Sequence, residues 1–251
     1  MVIGYHVLSH KSNHVINLYW EKIENNKRIV VLCDNLNMKK KRLIVGFLSL
    51  LLFIGYTYLV KTVDVQKVGE QSVTVGFATL NGIFNGIIGY NEGIYKLSNY
   101  IGYFSFVICA VYGTIGIIQL ITRRDVRKVD IEIILLGFLY VTILILKIIF
   151  DNLIIINLRP FYIDGILEPS YPSSHTVMAL VVSGSAIIIN KKKYNNIITK
   201  FGNYACSILM VLIIITRVLS GVHWCTDIIG AVILSFSLLL IYSGLITSKG
   251  E

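Results

Sequence analysis

Residues 159–175, RPFYIDGILEPSYPSSH, decide how this chain is read. They hold all three of its prolines, Pro160, Pro169 and Pro172. Proline lacks an amide donor and breaks helix interiors, so the stretch is expected to be an ordered, non-helical loop. Long apolar runs flank it. It also carries Arg159, Ser173, Ser174 and His175, polar groups that are costly to hold beside a bilayer and are usually functional there. The segment reads as one half of a phosphate-binding site, with the other half at residues 217–227.

The flanking runs set the class. The chain has 251 residues, of which 55% are hydrophobic and only 15% charged, and its mean hydropathy is +0.72. A soluble chain would carry about 25% charged residues. The apolar residues fall in blocks of the length needed to cross a hydrocarbon core of about 30 Å. The reading is an all-α membrane protein, a six-transmembrane-helix bundle, with no room for a further soluble domain. The net charge of +9 invites a nucleic-acid partner. The basic residues instead cluster beside the apolar runs, which is a signature of topology, so no nucleic-acid partner is expected. Cys33, Cys109, Cys206 and Cys225 lack CxxC spacing, and neither disulfides nor a zinc site is expected.

The expected spans cover residues 43–60, 101–121, 131–150, 176–190, 204–220 and 227–247. Basic clusters at 39–42, 122–128, 191–200 and 249 then share one side. The loops at 61–99, 151–175 and 221–226 share the other. The positive-inside rule makes the clustered side cytoplasmic, with both termini there and the proline-rich loop outside. Within 61–99, Val73, Phe77, Leu80, Phe84 and Ile87 recur at helical spacing, which predicts an interfacial helix between spans one and two. It would either plug the bundle or form a wall for a lipid tail. Residues 1–37 are polar and mixed, and MKKKR at 38–42 opens the first span. The chain is therefore divided into an N-terminal extension, 1–37, and a six-span domain, 38–251. The extension is either a short cytoplasmic tail or, with the natural start at Met38, an upstream segment that is disordered or not made. His6, His10 and His14 within it are not expected to bind metal.

Beyond residue 37 the chain has only two histidines, His175 and His223, and only two arginines outside the basic clusters, Arg159 and Arg217. All four fall at the outer ends of the spans or in the outer loops. Two guanidiniums beside two imidazoles suit an anion held by charge-assisted hydrogen bonds. Arg217 is followed after five residues by His223, and His223 after three by Asp227. That spacing puts His223 and Asp227 within reach of a carboxylate–imidazole bond, which fixes the tautomer and leaves the second nitrogen free to attack. Ser173, Ser174 and His175 precede the fourth span, where a helix N-terminus offers free amides to phosphate oxygens.

Taken together, Arg159-Pro160, Pro172-Ser173-Ser174-His175 and Arg217-x5-His223-x3-Asp227 resemble the type 2 phosphatidate phosphatase superfamily. That group includes membrane lipid phosphatases, bacterial acid phosphatases and vanadium haloperoxidases. The resemblance covers roughly residues 43–247, and the joint spacing is what makes it specific. It implies that His223 is the nucleophile and forms a phosphohistidine, that Asp227 orients it, and that His175 protonates the leaving group and then helps activate water. Arg159, Arg217 and Ser173, with the amides of Ser174 and His175, would hold the phosphoryl oxygens. No metal or other cofactor is implied.

The chain departs from the family pattern in three places. Ser174 stands where the second motif has glycine. Thr216 stands before Arg217 in place of serine. Asn152 occupies the position of the first-motif lysine, and the nearest lysine, Lys147, has eleven residues before Arg159 in place of six. Either an insertion lets Lys147 reach the phosphate, or Lys147 snorkels to the outer interface. Asp151, Asp164 and Glu168 match no motif role and are read as solvated or loop-capping. Tyr171 and Trp224 are read as interface anchors, and Cys225 as a free thiol without a role.

The function expected is a membrane phosphatase acting on a lipid phosphate or diphosphate at the extracytoplasmic face. Candidate substrates are undecaprenyl diphosphate, phosphatidylglycerophosphate and phosphatidate. The bilayer and this lipid are the expected partners. The alternatives are a phosphotransferase built on the same site and a non-catalytic transporter or binding protein.

Overall fold

The computed structural model describes residues 36–69, 72–163, 165–194 and 196–246. The expectations about residues 1–35, with Cys33 and the trio of histidines, and about Asp164 lie outside them. Among the described residues, seven α-helices make the body: α1 (Leu36–Thr62), α2 (Ala78–Ile88), α3 (Glu92–Arg123), α4 (Ile131–Ile148), α5 (Ser174–Lys193), α6 (Ile197–Leu219) and α7 (Cys225–Ile246). A π-helical turn, Ile149–Leu153, continues α4. Among the described residues, α1, α3, α4 with its turn, α6 and α7 are long and apolar enough to cross a membrane. Their large apolar side chains, such as Leu52, Phe138 and Ile208, face outward, as a lipid solvent requires.

Helix α5 sits inside the others, packed on α3, α4, α6 and α7. Most of its residues are buried, among them Val181, Val182, Ser183, Gly184, Ser185 and Ala186. A helix ringed by helices needs small residues for close approach more than it needs apolar ones for lipid. That is why α5 is the least apolar of the long helices.

The helix ends are set locally. Asn91 caps α3 by accepting from the Ile94 amide at 3.0 Å. Asn196 and Thr199 form a reciprocal capping box at the start of α6, satisfying two otherwise orphaned amides. One end of the bundle gathers the basic clusters. There Arg123 meets Asp130 at 2.9 Å, Lys192 meets Glu132 at 2.6 Å and Lys193 meets Asp130 at 2.5 Å. Arg42 of α1 donates to Ser243 of α7 at the same end, at 2.8 Å. Burial alone would raise the Asp130 carboxyl, but Lys193, Arg123 and Gln119 outweigh it and hold the group down to about 2.

The opposite end differs from expectation in three respects. The chain is not wholly α-helical: β1 (Gln66–Val68) and β2 (Val73–Val75) pair as an antiparallel hairpin. Val73 and Val75 point inward beside Ala78 and Trp224 while Thr74 faces out. Valine is stiff at χ1 and suits a pleated surface, so period two overrides the helical reading of Val73. The helix predicted across this stretch is shorter and starts after Phe77, whose φ of 48° is left-handed. The second apolar helix, α3, begins at Glu92, nine residues ahead of the expected start.

Candidate active site

The proline-bearing segment folds as an ordered, non-helical loop that leaves the bundle and returns. Its two limbs are tied by backbone bonds from Arg159 to Glu168 at 2.9 Å and from Ser170 to Asn157 at 2.9 Å. At its exit the Ser173 amide donates to the Asp227 carbonyl at 3.3 Å. The loop thus brings the start of α5 against the start of α7, joining two sequence motifs that lie fifty residues apart.

Asp227 is completely buried. Its Oδ2 accepts from the Trp224 amide at 3.0 Å and its Oδ1 from Asn157 Nδ2 at 3.0 Å. His223 Nδ1 lies 3.6 Å from Oδ2, an ion-pair distance longer than a hydrogen bond. Contacts of this kind commonly tighten only once substrate is bound. Both ring nitrogens of His223 are buried without a hydrogen-bond partner. Burial pulls the imidazole down to about 4; Asp227 opposes the shift, and the Arg217 and Arg159 cations add to it. The ring is therefore neutral at ordinary pH, as a nucleophile must be.

The two arginines converge on Tyr95 of α3. The Arg159 and Arg217 guanidinium carbons lie 6.0 and 5.7 Å from the centre of its ring. Arg217 is fully buried and donates from Nη2 to Asn99 at 2.7 Å. Arg159 pairs with Glu168 at 2.8 Å, so Glu168, whose side chain stays half exposed to solvent, is also an ion-pair partner. The Nε of Arg159 and the Nε and Nη1 of Arg217 remain buried donors without an acceptor. Polar groups this deep are normally satisfied, and two such cations side by side repel. The donor set fits an anion.

His175 stands on the first turn of α5, facing Gly102 of α3, where an added Cβ would lie 3.1 Å from the ring. The Ser173 and Thr176 hydroxyls share a hydrogen bond of 2.9 Å. Beyond His175 opens a cavity of about 240 Å³, walled by Tyr103, Phe106, Ile143, Phe150, Val177 and Met178. Ser174, His175, Lys147 and Asp151 also line it. Lys147 pairs with Asp151, and both line this cavity, whose lining includes neither arginine.

The sequence reading passed over four residues. Asn157 positions the Asp227 carboxylate. Tyr95, Asn99 and Gly102 occupy one stripe of α3 that continues to Tyr103 and Phe106 in the cavity. Residues 95, 99, 102 and 106 step by four, three and four, which is one helix face running about 16 Å. The stripe leads from the arginines past His175 into the apolar cavity. Tyr171 and Trp224 are not interface anchors. Both are buried: Tyr171 packs on Phe53 and Phe150, and Trp224 donates to the Leu158 carbonyl at 2.7 Å. Gly221 is needed in the α6–α7 turn, since its φ is +71° and an added Cβ would lie 1.9 Å from the Gly89 carbonyl.

No curated protein matches the chain significantly. Among solved structures it is similar to the first transmembrane PAP2-type phosphatidylglycerolphosphate phosphatase from Bacillus subtilis. The TM-score is 0.50 at 18% identity, over 80% of this chain and 94% of that one. At that identity the likeness speaks to the fold. A model of the PAP2 superfamily matches residues 101–250, which include every motif residue described above. The chain, a multi-pass membrane protein by its apolar helices, belongs to the PAP2 superfamily.

Proposed function

We propose that the chain is a metal-independent membrane phosphatase that releases phosphate from a lipid phosphate or diphosphate at the extracytoplasmic face. In this reading α5 is a sixth span, and α2 with the β-hairpin lies at the outer interface over the site. The separation of the basic clusters from the His223 end of the bundle supports that orientation. The observation that carries the function is the set of buried, acceptor-less guanidinium and imidazole nitrogens gathered around Tyr95 and Asp227.

The neutral imidazole of His223 attacks phosphorus through Nε2, and Asp227, itself held by Asn157 and Trp224, accepts from Nδ1–H as the ring becomes cationic. Arg159, Arg217 and the amides at the start of α5 stabilise the charge on the equatorial oxygens. His175, in its protonated form, gives a proton to the leaving oxygen. It then takes one from the water that hydrolyses the N–P bond, which regenerates both histidines. The stripe on α3 would guide the lipid chain into the apolar cavity while its phosphate meets the arginines.

The test is phosphate release by the purified protein from a panel of lipid phosphates with EDTA present. Release by wild type, and none by His223→Ala or His175→Ala, is expected. Release by His223→Ala, or loss of wild-type activity in EDTA, would defeat the mechanism.

A further inference from the structure

His175 separates two regions of unlike charge. On one side stand Arg159, Arg217, His223 and Asp227. On the other is the apolar cavity, whose lining includes neither arginine but does include Lys147 and Ser174. In a phosphoryl transfer the attacking and leaving atoms lie roughly in line. With His223 attacking from the arginine side, the leaving oxygen points past His175 toward the cavity. Whatever Lys147 and Ser174 touch there belongs to the leaving group.

The alcohol leaving from phosphatidate or a prenyl monophosphate carries no fixed charge beyond that oxygen and gives an ammonium nothing to bind, whereas phosphatidylglycerophosphate leaves a phosphodiester anion several atoms from the scissile bond. A lipid monophosphate leaving from a lipid diphosphate gives it an anion directly at that bond. Lys147 is held by Asp151 in an i, i+4 pair whose lysine side chain is half exposed. Such pairs are worth little and exchange readily for a stronger anion. The π-helical turn Ile149–Leu153 follows directly, a distortion frequent at functional sites. The two motif departures with chemical consequence, a lysine at 147 in place of 152 and a hydroxyl at 174 where the pattern has glycine, both line this cavity.

We infer that the site selects lipid diphosphates over lipid monophosphates whose leaving alcohol is uncharged, with Lys147 and Ser174 holding the phosphate that departs with the lipid. The inference rests on the phosphatase reading above. The bond from His223 Nε2 to the terminal phosphorus forms as the bond from that phosphorus to the bridging oxygen breaks. The electron pair goes to the bridging oxygen, which takes the proton of His175 and leaves as the lipid monophosphate. Water then cleaves the N–P bond, returns a proton to His175 and releases inorganic phosphate.

The experiment compares farnesyl diphosphate with farnesyl monophosphate, which share one chain, in mixed micelles with the full-length protein. The readout is the ratio of kcat/KM values from phosphate release. Wild type is expected to prefer the diphosphate. Lys147→Gln is expected to lower the ratio about tenfold or more, the worth of one charge-assisted hydrogen bond. Ser174→Gly should lower it less, and Asp151→Asn, which frees the ammonium, should not lower it. A wild-type preference for the monophosphate, an unchanged ratio in Lys147→Gln, or an equal fall on both substrates would overturn the inference while leaving the phosphatase reading intact. Release from either compound by His223→Ala would overturn both.

Discussion

Arg217 is a place where function and stability pull apart. Its guanidinium is fully buried, with one hydrogen bond to Asn99, the Tyr95 ring beside it, and two nitrogens without an acceptor. Among the described residues no carboxylate pairs with it. Replacing buried ionic groups by apolar side chains of similar volume commonly stabilises by about 1–4 kcal/mol. Arg217→Met keeps the stem length and removes the charge. A gain of about 2 kcal/mol corresponds to a rise of about 4–8 °C in Tm for a domain of this size. Inorganic phosphate at a hundredfold excess over its Kd would stabilise the wild type by about 2.7 kcal/mol and the variant little. The variant should lose phosphate release by about a hundredfold or more. Thermal unfolding in detergent, with and without phosphate, measures all of this beside turnover. If Arg217→Met melts below wild type, or phosphate raises both melting temperatures equally, the guanidinium is a structural group and the anion site lies elsewhere.

Other expectations follow from the same geometry. His223 is held at about 4 against an ordinary 6.5, so the acid limb of kcat/KM set by the nucleophile should fall near pH 4. A folded-state value below the unfolded one means that stability is fully present above pH 6.5 and is lost as pH falls toward 4. That difference amounts to about 3 kcal/mol; denaturant melts of wild type and His223→Gln across that window would show it as a shallower slope in the variant. Gly102→Ala should push the His175 ring by a few tenths of an ångström and lower kcat about tenfold or more. Alanine favours a helix over glycine, so Tm should hold or rise, and a fall in both would point to general damage. Glu132→Gln, at the far end of the bundle, breaks a partly buried ion pair with Lys192. It should lower Tm measurably while leaving KM unchanged.

Much of the candidate site was legible because its residues are out of place. An arginine or histidine in an apolar chain is conspicuous, and the spacings of Arg217, His223 and Asp227 survive in one turn of chain. The loop was legible because its prolines forbid a helix. Tyr95, Asn99 and Gly102 were not, since they are common residue types on a helix that also faces lipid, and only the packing of α3 against α5 and α6 singles out their stripe. Asn157 looked like any loop asparagine until Asp227 was found against it. The stretch 73–77 carried two periods at once, and the contacts of Val73 and Val75 with Trp224 decided between them. Trp224 and Tyr171 were misread for a related reason. A large aromatic near the end of a span suits the interface and the core equally by type, and here both fill the space beneath the loop. Lys147 was the hardest to place, because its role depends on which side of His175 it faces.

The most direct test of the central claim is to trap the phosphorylated protein. Wild type quenched during turnover of a lipid labelled with ³²P at its terminal phosphate should carry acid-labile, base-stable label on the peptide containing His223. His223→Ala should carry none, and His175→Ala should retain label longer, since the water step is slowed. Turnover without any label on that peptide, or acid-stable label on a serine, would contradict attack by His223.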